Sequence, residues 1–591
     1  MRVLSRWLVD RGGLVVLVAF LLYAWIAPAH LSTGDNPEFA TLGSLGGAAH
    51  PTGYPLYVLW LRLWSWLPAE TPAHTAALAT CILGGASILV LHAACRAWGA
   101  SSTAASFAVA TAAAIPVVVR IHSEAEVFAL NGLIAGTVLW LSAEAGPVRG
   151  GRRALALGLV AGLGLSDHVT CVLLAPVGIY GVVRAAREMT RPAWSALALA
   201  VLGLVLGLLP YAYLVVAPET RGSWGKVDGL HGVVRHFLRM DYGGPAELAQ
   251  VDRGGTAADN IAALVASHLR GWLWAPFALG LAALGLRCGR RSAARVAWWA
   301  LAASWLLAGI GLVSRFNLQP TGAHAFITQR FHILPMLVFA IPVAIGLDLV
   351  ATRLRLAEHV RLARSPWAGA VGASVLALAL IGVALPRIAG ARSPAIELSL
   401  KNTLRTLPPG AVVIGTPDEY HFGMGYLQGV LHERPDVTVI SWAQVGLPYA
   451  RARIERQIGV RIENLPPGST EKLSVVVARQ VLATGRPLFI DPYQANIANT
   501  LPVYPYGLVY RVVAPGTPMP SLDELFALND ELYKRYELGY AKPSRADVVA
   551  AEIHANYARP WLAIADAMRQ AGNRDKHEYA LRMAFTLAPD E

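Results

Sequence analysis

The sequence predicts an α-helical polytopic membrane protein that carries a C-terminal α/β and helical domain outside the bilayer. Three observations predict it. The 591 residues are 55% hydrophobic and only 15% charged, where a soluble chain carries about 25% charged residues. That deficit is confined to Met1 through about Leu385, a series of long apolar runs, several above the roughly 18 residues that suggest a spanning helix. The arginines, finally, cluster in alternate connections between the runs, as residues that set membrane orientation do.

About eleven spans are expected, near 12–29, 75–95, 102–119, 127–143, 154–166, 168–183, 193–215, 271–286, 296–313, 331–350 and 367–385. Arg2, Arg6 and Arg11 precede the first run and place the N-terminus in the cytoplasm. From there every even-numbered connection is arginine-bearing: Arg96; Arg149, Arg152 and Arg153; Arg184, Arg187 and Arg191; Arg287, Arg290, Arg291 and Arg295; Arg353, Arg355, Arg361 and Arg364. The opposite connections, 30–74, 120–126, 216–270 and 314–330, hold nearly all the carboxylates and histidines of the membrane half. Any chemistry is expected on their side. The run 154–183 has arginines at both ends, and Ala154 to Leu165 covers only about 18 Å at 1.5 Å per residue. It reads as two short helices meeting at Ser166-Asp167-His168, with the ionisable pair facing a wet cavity or the protein interior, or as a hairpin with a polar tip.

The sequence divides into a membrane domain over 1–390, an α/β domain over 391–520 and a helical segment over 521–591. Strands are predicted at Ala411–Gly415, Val437–Ile440, Pro487–Asp491 and Leu508–Val512, in an order that makes a small parallel or mixed sheet. The last segment resembles one tetratricopeptide-like hairpin or a plain helical cap. The net charge of +12 lies in short loops rather than in a basic stripe interleaved with aromatics, so nucleic acid is not an expected partner. Cys81, Cys95, Cys171 and Cys288 all lie in or beside the apolar runs, which gives neither a disulfide framework nor a cysteine metal site. The first run lacks a small-residue cleavage site and reads as a span, not a signal peptide.

The residues with most chemical content follow the first span. In Thr33-Gly34-Asp35-Asn36-Pro37-Glu38-Phe39 two carboxylates stand at i and i+3, on one face of a helix beginning near Pro37. His50-Pro51-Thr52-Gly53-Tyr54-Pro55 then makes a rigid turn. Asp35 reads equally as a helix N-cap or as a general base held at the membrane surface. Glu124 and Glu126, with His122 beside them, lie in a short turn that must come close, and four carboxylates with two histidines on one face favour a site.

Here the sequence resembles the protein O-mannosyltransferase-like membrane family. GDNPEFATLGSLGGAAHPTGYPLYVLWLRLW is similar to that family's first-loop motif, an acidic GDSGE-type segment followed by HPPGYPL. HSEAEVFALN, GLGLSDHVT, SWGKVDGLHGVVRHFLRMDYG, TQRFHILP and LPPGAVVIGTPDEYHFGMGYLQGVLHERPDVTVI follow in the family's order, over most of residues 30–450. The departures are Asn36-Pro37 for a small dipeptide, Lys226 for an acidic residue and Asp167 for asparagine. The resemblance implies a C-type glycosyltransferase fold, with Asp35 as catalytic base and Glu38 as its close partner. It implies a polyprenyl-phosphate sugar donor, mannose the expected sugar, and inverting transfer to an acceptor hydroxyl on a protein serine or threonine, a lipid or a glycan. Arg330, then Arg315, are the expected phosphate ligands, although Arg330 also reads as an interfacial arginine snorkelling from a span end. His50, Tyr54, His122, Glu124, Glu126, Asp167, His168 and Trp224 complete the candidate substrate-binding set, with His50 read more as a loop stabiliser than as a catalyst. No cofactor and no metal are expected. The implied location is a bacterial inner membrane, with the site and the C-terminal domain on the periplasmic side. Two other classes compete. A lipid-linked sugar transporter would show inverted repeats and midplane charges, and a non-catalytic assembly factor would have lost the first-loop acids.

Overall fold

The computed structural model describes residues 12–588 apart from 245–253, 293, 355–365, 417, 466–470, 493 and 544–546. Arg2, Arg6, Arg11, Arg355, Arg361 and Arg364, used above to orient the chain, lie outside the described residues. The membrane half is helical. Among the described residues five helices are long and apolar enough to cross a bilayer: Pro72–Ala97, Val169–Arg187, Ala193–Val216, Ile333–Arg353 and Trp367–Pro386. Two bent pairs, Ser102–Ala113 with Pro116–Ser123 (73°) and Ala257–Gly271 with Trp274–Gly289 (108°), raise the number to seven.

The eleven expected spans therefore divide by length. Gly13–Ile26 has 14 residues and Phe128–Ser142 has 15, about 21–23 Å at 1.5 Å per residue, short of an apolar layer of about 30 Å. Phe128–Ser142 is wrapped by other helices and packs along Pro72–Ala97, whereas Gly13–Ile26 packs against Pro72–Ala97 and Pro366–Ile388 and leaves Leu17, Leu21 and Trp25 exposed on its other face. The run 154–183 breaks at Ser166–His168, where the helix Gly150–Leu165 gives way to a 3₁₀ turn, Val169–Leu174, and then to Ala175–Arg187. Ala257–Gly271, in a connection read as loop, is a helix opened by a capping box at Thr256 and Asp259.

Beyond the last long helix the described residues form five strands, β1 (Val412–Gly415), β2 (Thr438–Ser441), β3 (Leu488–Ile490), β4 (Val503–Tyr506) and β5 (Val509–Val512), in the order β2-β1-β3-β5-β4. β1 pairs in parallel with β2 and β3, while β5 is antiparallel to β3 and β4, so the sheet is mixed. β1 and β3 are buried throughout and read as continuous apolar runs, as central strands do. The helices Arg559–Gln570 and Arg574–Leu587 pack as a hairpin around Trp561 and Tyr557. This domain is docked on the membrane half. Glu397 accepts the Leu31 N–H (3.0 Å), the Tyr426 hydroxyl accepts the Ala73 N–H (3.2 Å), and Arg221 donates to Gln428 (2.8 Å).

Candidate active site

The site is built where the first loop meets the turn Glu124–Val127 and the helix Gly322–Arg330. Asp35 occupies the N-cap position of the helix Asn36–Leu45, yet its side chain makes no capping hydrogen bond. It turns instead to Arg330, whose Nη1 donates to Asp35 Oδ2 at 2.9 Å and to Glu126 Oε1 at 3.1 Å. This sets aside the N-cap reading of Asp35, since a capping carboxylate would spend its oxygens on the backbone of its own helix. Arg330 is not a snorkelling arginine either. It is 9% exposed, and its guanidinium lies over the rings of Phe326 and Phe128 at 5.5 and 5.9 Å. Its Nε is buried and has no hydrogen-bond partner.

Glu38, three residues on and fully buried, faces the turn below. It accepts the His50 backbone N–H at 2.7 Å and bonds His50 Nδ1 at 2.6 Å, while His50 Nε2 reaches the Tyr54 hydroxyl at 3.0 Å. Tyr54, at φ 41°, is held against His168 with ring centroids 5.8 Å apart. Gly53 (φ 95°) is needed there, because a Cβ would meet Leu214 and His236. His168 packs on Phe128 at 4.8 Å and bonds Thr170. Asp167 is buried with neither oxygen partnered.

The charges sort themselves by partner. Burial pushes the Asp35 carboxyl up, but the charges of Arg330 and His50 and the Arg330 hydrogen bond outweigh it and hold the group below the usual carboxylate range. Glu126 shares the same guanidinium, yet burial dominates, Asp35 and Glu124 add like charge, and its carboxyl is pushed up to about 8. Two acids on one arginine thus take different protonation states at neutral pH. Burial alone would neutralise His50, but the adjacent Glu38 and Asp35 push it up to about 9, while burial, only partly offset by His50, raises the Glu38 carboxyl. The outcome is one ionised, partly exposed carboxylate, Asp35, on a rigid frame of buried pairs; its side chain is 19% exposed where those of Glu38, Glu124 and Glu126 are at 0%.

Other expected residues fall in varied places. Glu124 pairs with Arg120 at 2.9 Å, behind the site. His122 faces the helix interior, edge-on to Tyr23 at 5.3 Å, with neither ring nitrogen bonded. Trp224 lies 6.2 Å from the His50 ring and donates its indole N–H to Asp241 at 3.1 Å. Arg315 is exposed and takes no part in the Asp35–Arg330–Glu126 ion pairs. Two contributors escaped sequence reasoning. Arg239, held at φ 55° in the motif's basic end, acts electrostatically on both His50 and Tyr54. Phe422, from the C-terminal domain, lies 6.2 Å from the His50 ring and 6.4 Å from that of Trp224.

The same geometry has relatives. A family model described as the protein O-mannosyl-transferase TMEM260 N-terminal domain matches residues 35–191. The protein O-mannosyl-transferase TMEM260 of Mus musculus is 28% identical over 246 residues, 39% of this chain and 34% of that protein. The Dictyostelium discoideum protein O-mannosyl-transferase tmem260 is 22% identical over 255 residues, 39% of this chain and 30% of that protein. The chain thus spans about a third of the length of these curated relatives. Among solved structures, ArnT from Cupriavidus metallidurans bound to undecaprenyl phosphate superposes with a TM-score of 0.50 at 15% identity, covering 86% of this chain and 99% of that one. The molecule is a multi-pass membrane protein with the fold of the C-type glycosyltransferases. Over the segment that carries Asp35, Glu38 and Glu126, the chain is similar to protein O-mannosyl-transferases.

Proposed function

We propose that this protein is an inverting glycosyltransferase that moves a sugar, mannose in our reading, from a polyprenyl-phosphate donor to a serine or threonine hydroxyl of a protein acceptor. The observation that carries the reading is the pairing of the partly exposed Asp35 with a buried arginine that has a spare donor, Arg330 Nε. A lipid monophosphate entering beside Arg330 competes with Asp35 for the guanidinium. As Arg330 turns to the phosphate, Asp35 loses the counterion that depresses its proton affinity and becomes a better base. The acceptor oxygen then attacks the anomeric carbon, its proton passes to Asp35, and the bond to the phosphate oxygen breaks with the electron pair leaving on phosphate. Arg330 and Arg239 stabilise that growing charge, and Glu38, His50 and Tyr54 hold the loop that aims Asp35. The arginine-bearing connections on the opposite side support an extracytoplasmic site, in our reading at the periplasmic face of a bacterial inner membrane.

The test is transfer of radiolabelled mannose from synthetic polyprenyl-phosphate mannose in membranes expressing this chain. Label should enter the protein fraction and fall by about a hundredfold or more in Asp35→Asn, as for loss of a general base. Equal labelling in both would remove Asp35 from the mechanism, and label in the lipid fraction alone would replace the protein acceptor with a lipid.

A further inference from the structure

The C-terminal domain holds a second feature that the chemistry around Asp35 does not use. A polar cleft of about 450 Å³ lies between the loop carrying Thr220 and Arg221 and the sheet, and its wall is β2. β2 is an edge strand. The Thr438 N–H is bonded to the Ala411 carbonyl toward β1. Successive residues of a parallel strand alternate in direction, so the Val439 N–H and C=O point the other way, toward the cleft it lines. Its charged lining is lopsided: Arg221, Arg453 and Arg456 against the single carboxylate Glu219. It also lies near the site: His421 in its wall is 6.2 Å, ring to ring, from Trp224, which is itself 6.2 Å from His50.

We infer that this cleft is a docking site for an extended, acidic polypeptide segment, which adds to β2 as a further strand and holds the acceptor chain beside the catalytic loop. The inference rests on the protein-acceptor reading above. An open strand edge supplies main-chain hydrogen bonds without demanding one sequence, and the arginines select carboxylates and set orientation. An edge left open at the end of a sheet otherwise invites aggregation. Here it lines a cleft.

The experiment uses the full chain in detergent micelles and a fluorescent peptide alternating Val, Thr and Glu residues, read by anisotropy. Two variants carry it. Val439→Pro removes an outward N–H without touching the β1 pairing, a position an edge strand tolerates, and Arg456→Glu reverses an exposed charge. Each should weaken the acidic peptide by about tenfold or more and leave polyprenyl-phosphate binding unchanged, which also certifies the fold. Replacing the peptide's Glu by Lys, or N-methylating alternate amides, should abolish binding. Equal binding by both variants, by the Lys peptide or by the N-methylated peptide overturns the inference, as does no binding to wild type. Sugar transfer measured in parallel separates the two proposals: edge-dependent binding without transfer supports the dock and removes the transferase, while transfer unaffected by Val439→Pro does the reverse.

Discussion

Asp35 and Glu126 are bound to one nitrogen of Arg330 and hold their protons differently, so the charge facing an incoming phosphate depends on pH. Below about 8 Glu126 is neutral and Arg330 is offset by Asp35 alone. Above it a second anion appears at Arg330 and repels a phosphate. Polyprenyl-phosphate affinity should therefore fall between pH 7 and 9 in the wild type and stay nearly flat in Glu126→Gln, measured as Kd at the two pH values; parallel losses in both would remove Glu126 from the effect. His50 carries a stability signature of its own. Its folded value of about 9 lies above its ordinary 6.5, so its contribution is fully present below 6.5 and is lost as pH rises through 9. Thermal melts of the wild type should drop over that window, and His50→Gln should start lower and lose less.

Between elements, the tightest contact in the membrane half is glycine on glycine. The helices Gly150–Leu165 and Ala193–Gly207 meet backbone to backbone: a Cβ on Gly158 would strike the Ala200 carbonyl, and one on Gly203 the Leu155 carbonyl. Small residues are what let helices approach so closely. This contact fixes the break that carries Asp167 and His168, because Ser166 Oγ donates to the Gly207 carbonyl at 3.0 Å. Gly203→Ala should cost about 2 kcal/mol, the scale of overpacking, whereas Gly285→Ala, whose Cβ meets nothing, should be neutral or slightly stabilising. A comparison of detergent melting temperatures checks both. The same elements show what was legible in the sequence. Hydropathy marked the long apolar helices of the membrane half, and the 166–168 break followed from the arginines at both ends of the run together with its length. Asp35 and Glu38 stood out because one loop holds both, but their separate partners did not: Arg330 is 295 residues from Asp35, and only packing brings them together. His122 looked equivalent to Glu124 and Glu126 because spacing does not say which way a short helix turns its side chains. β4, absent from the predicted strands, carries Pro505 and lies at the sheet edge, where no partner needs the missing N–H.

Across the whole molecule, the C-terminal domain completes the site. Phe422, 2% exposed, comes from the turn after β1 and closes over His50 and Trp224, while Arg453 donates to the Ser223 carbonyl at 3.1 Å and Asp547 faces Arg120 at 3.8 Å. These contacts tie the C-terminal domain to the first three outer connections, so under the proposed function the domain is a wall of the site and not an appendage. Removing that wall at one point separates its role from that of the donor pocket. Phe422→Ala leaves Asp35, Arg330 and Arg239 untouched and removes the ring that lies against His50 and Trp224. Donor affinity should change less than twofold, while kcat/KM for transfer should fall about tenfold or more, the scale of a lost positioning contact. Loss of donor binding in this variant would mean that Phe422 supports the membrane half as a whole. Unchanged transfer would mean that the domain docks without shaping the reaction.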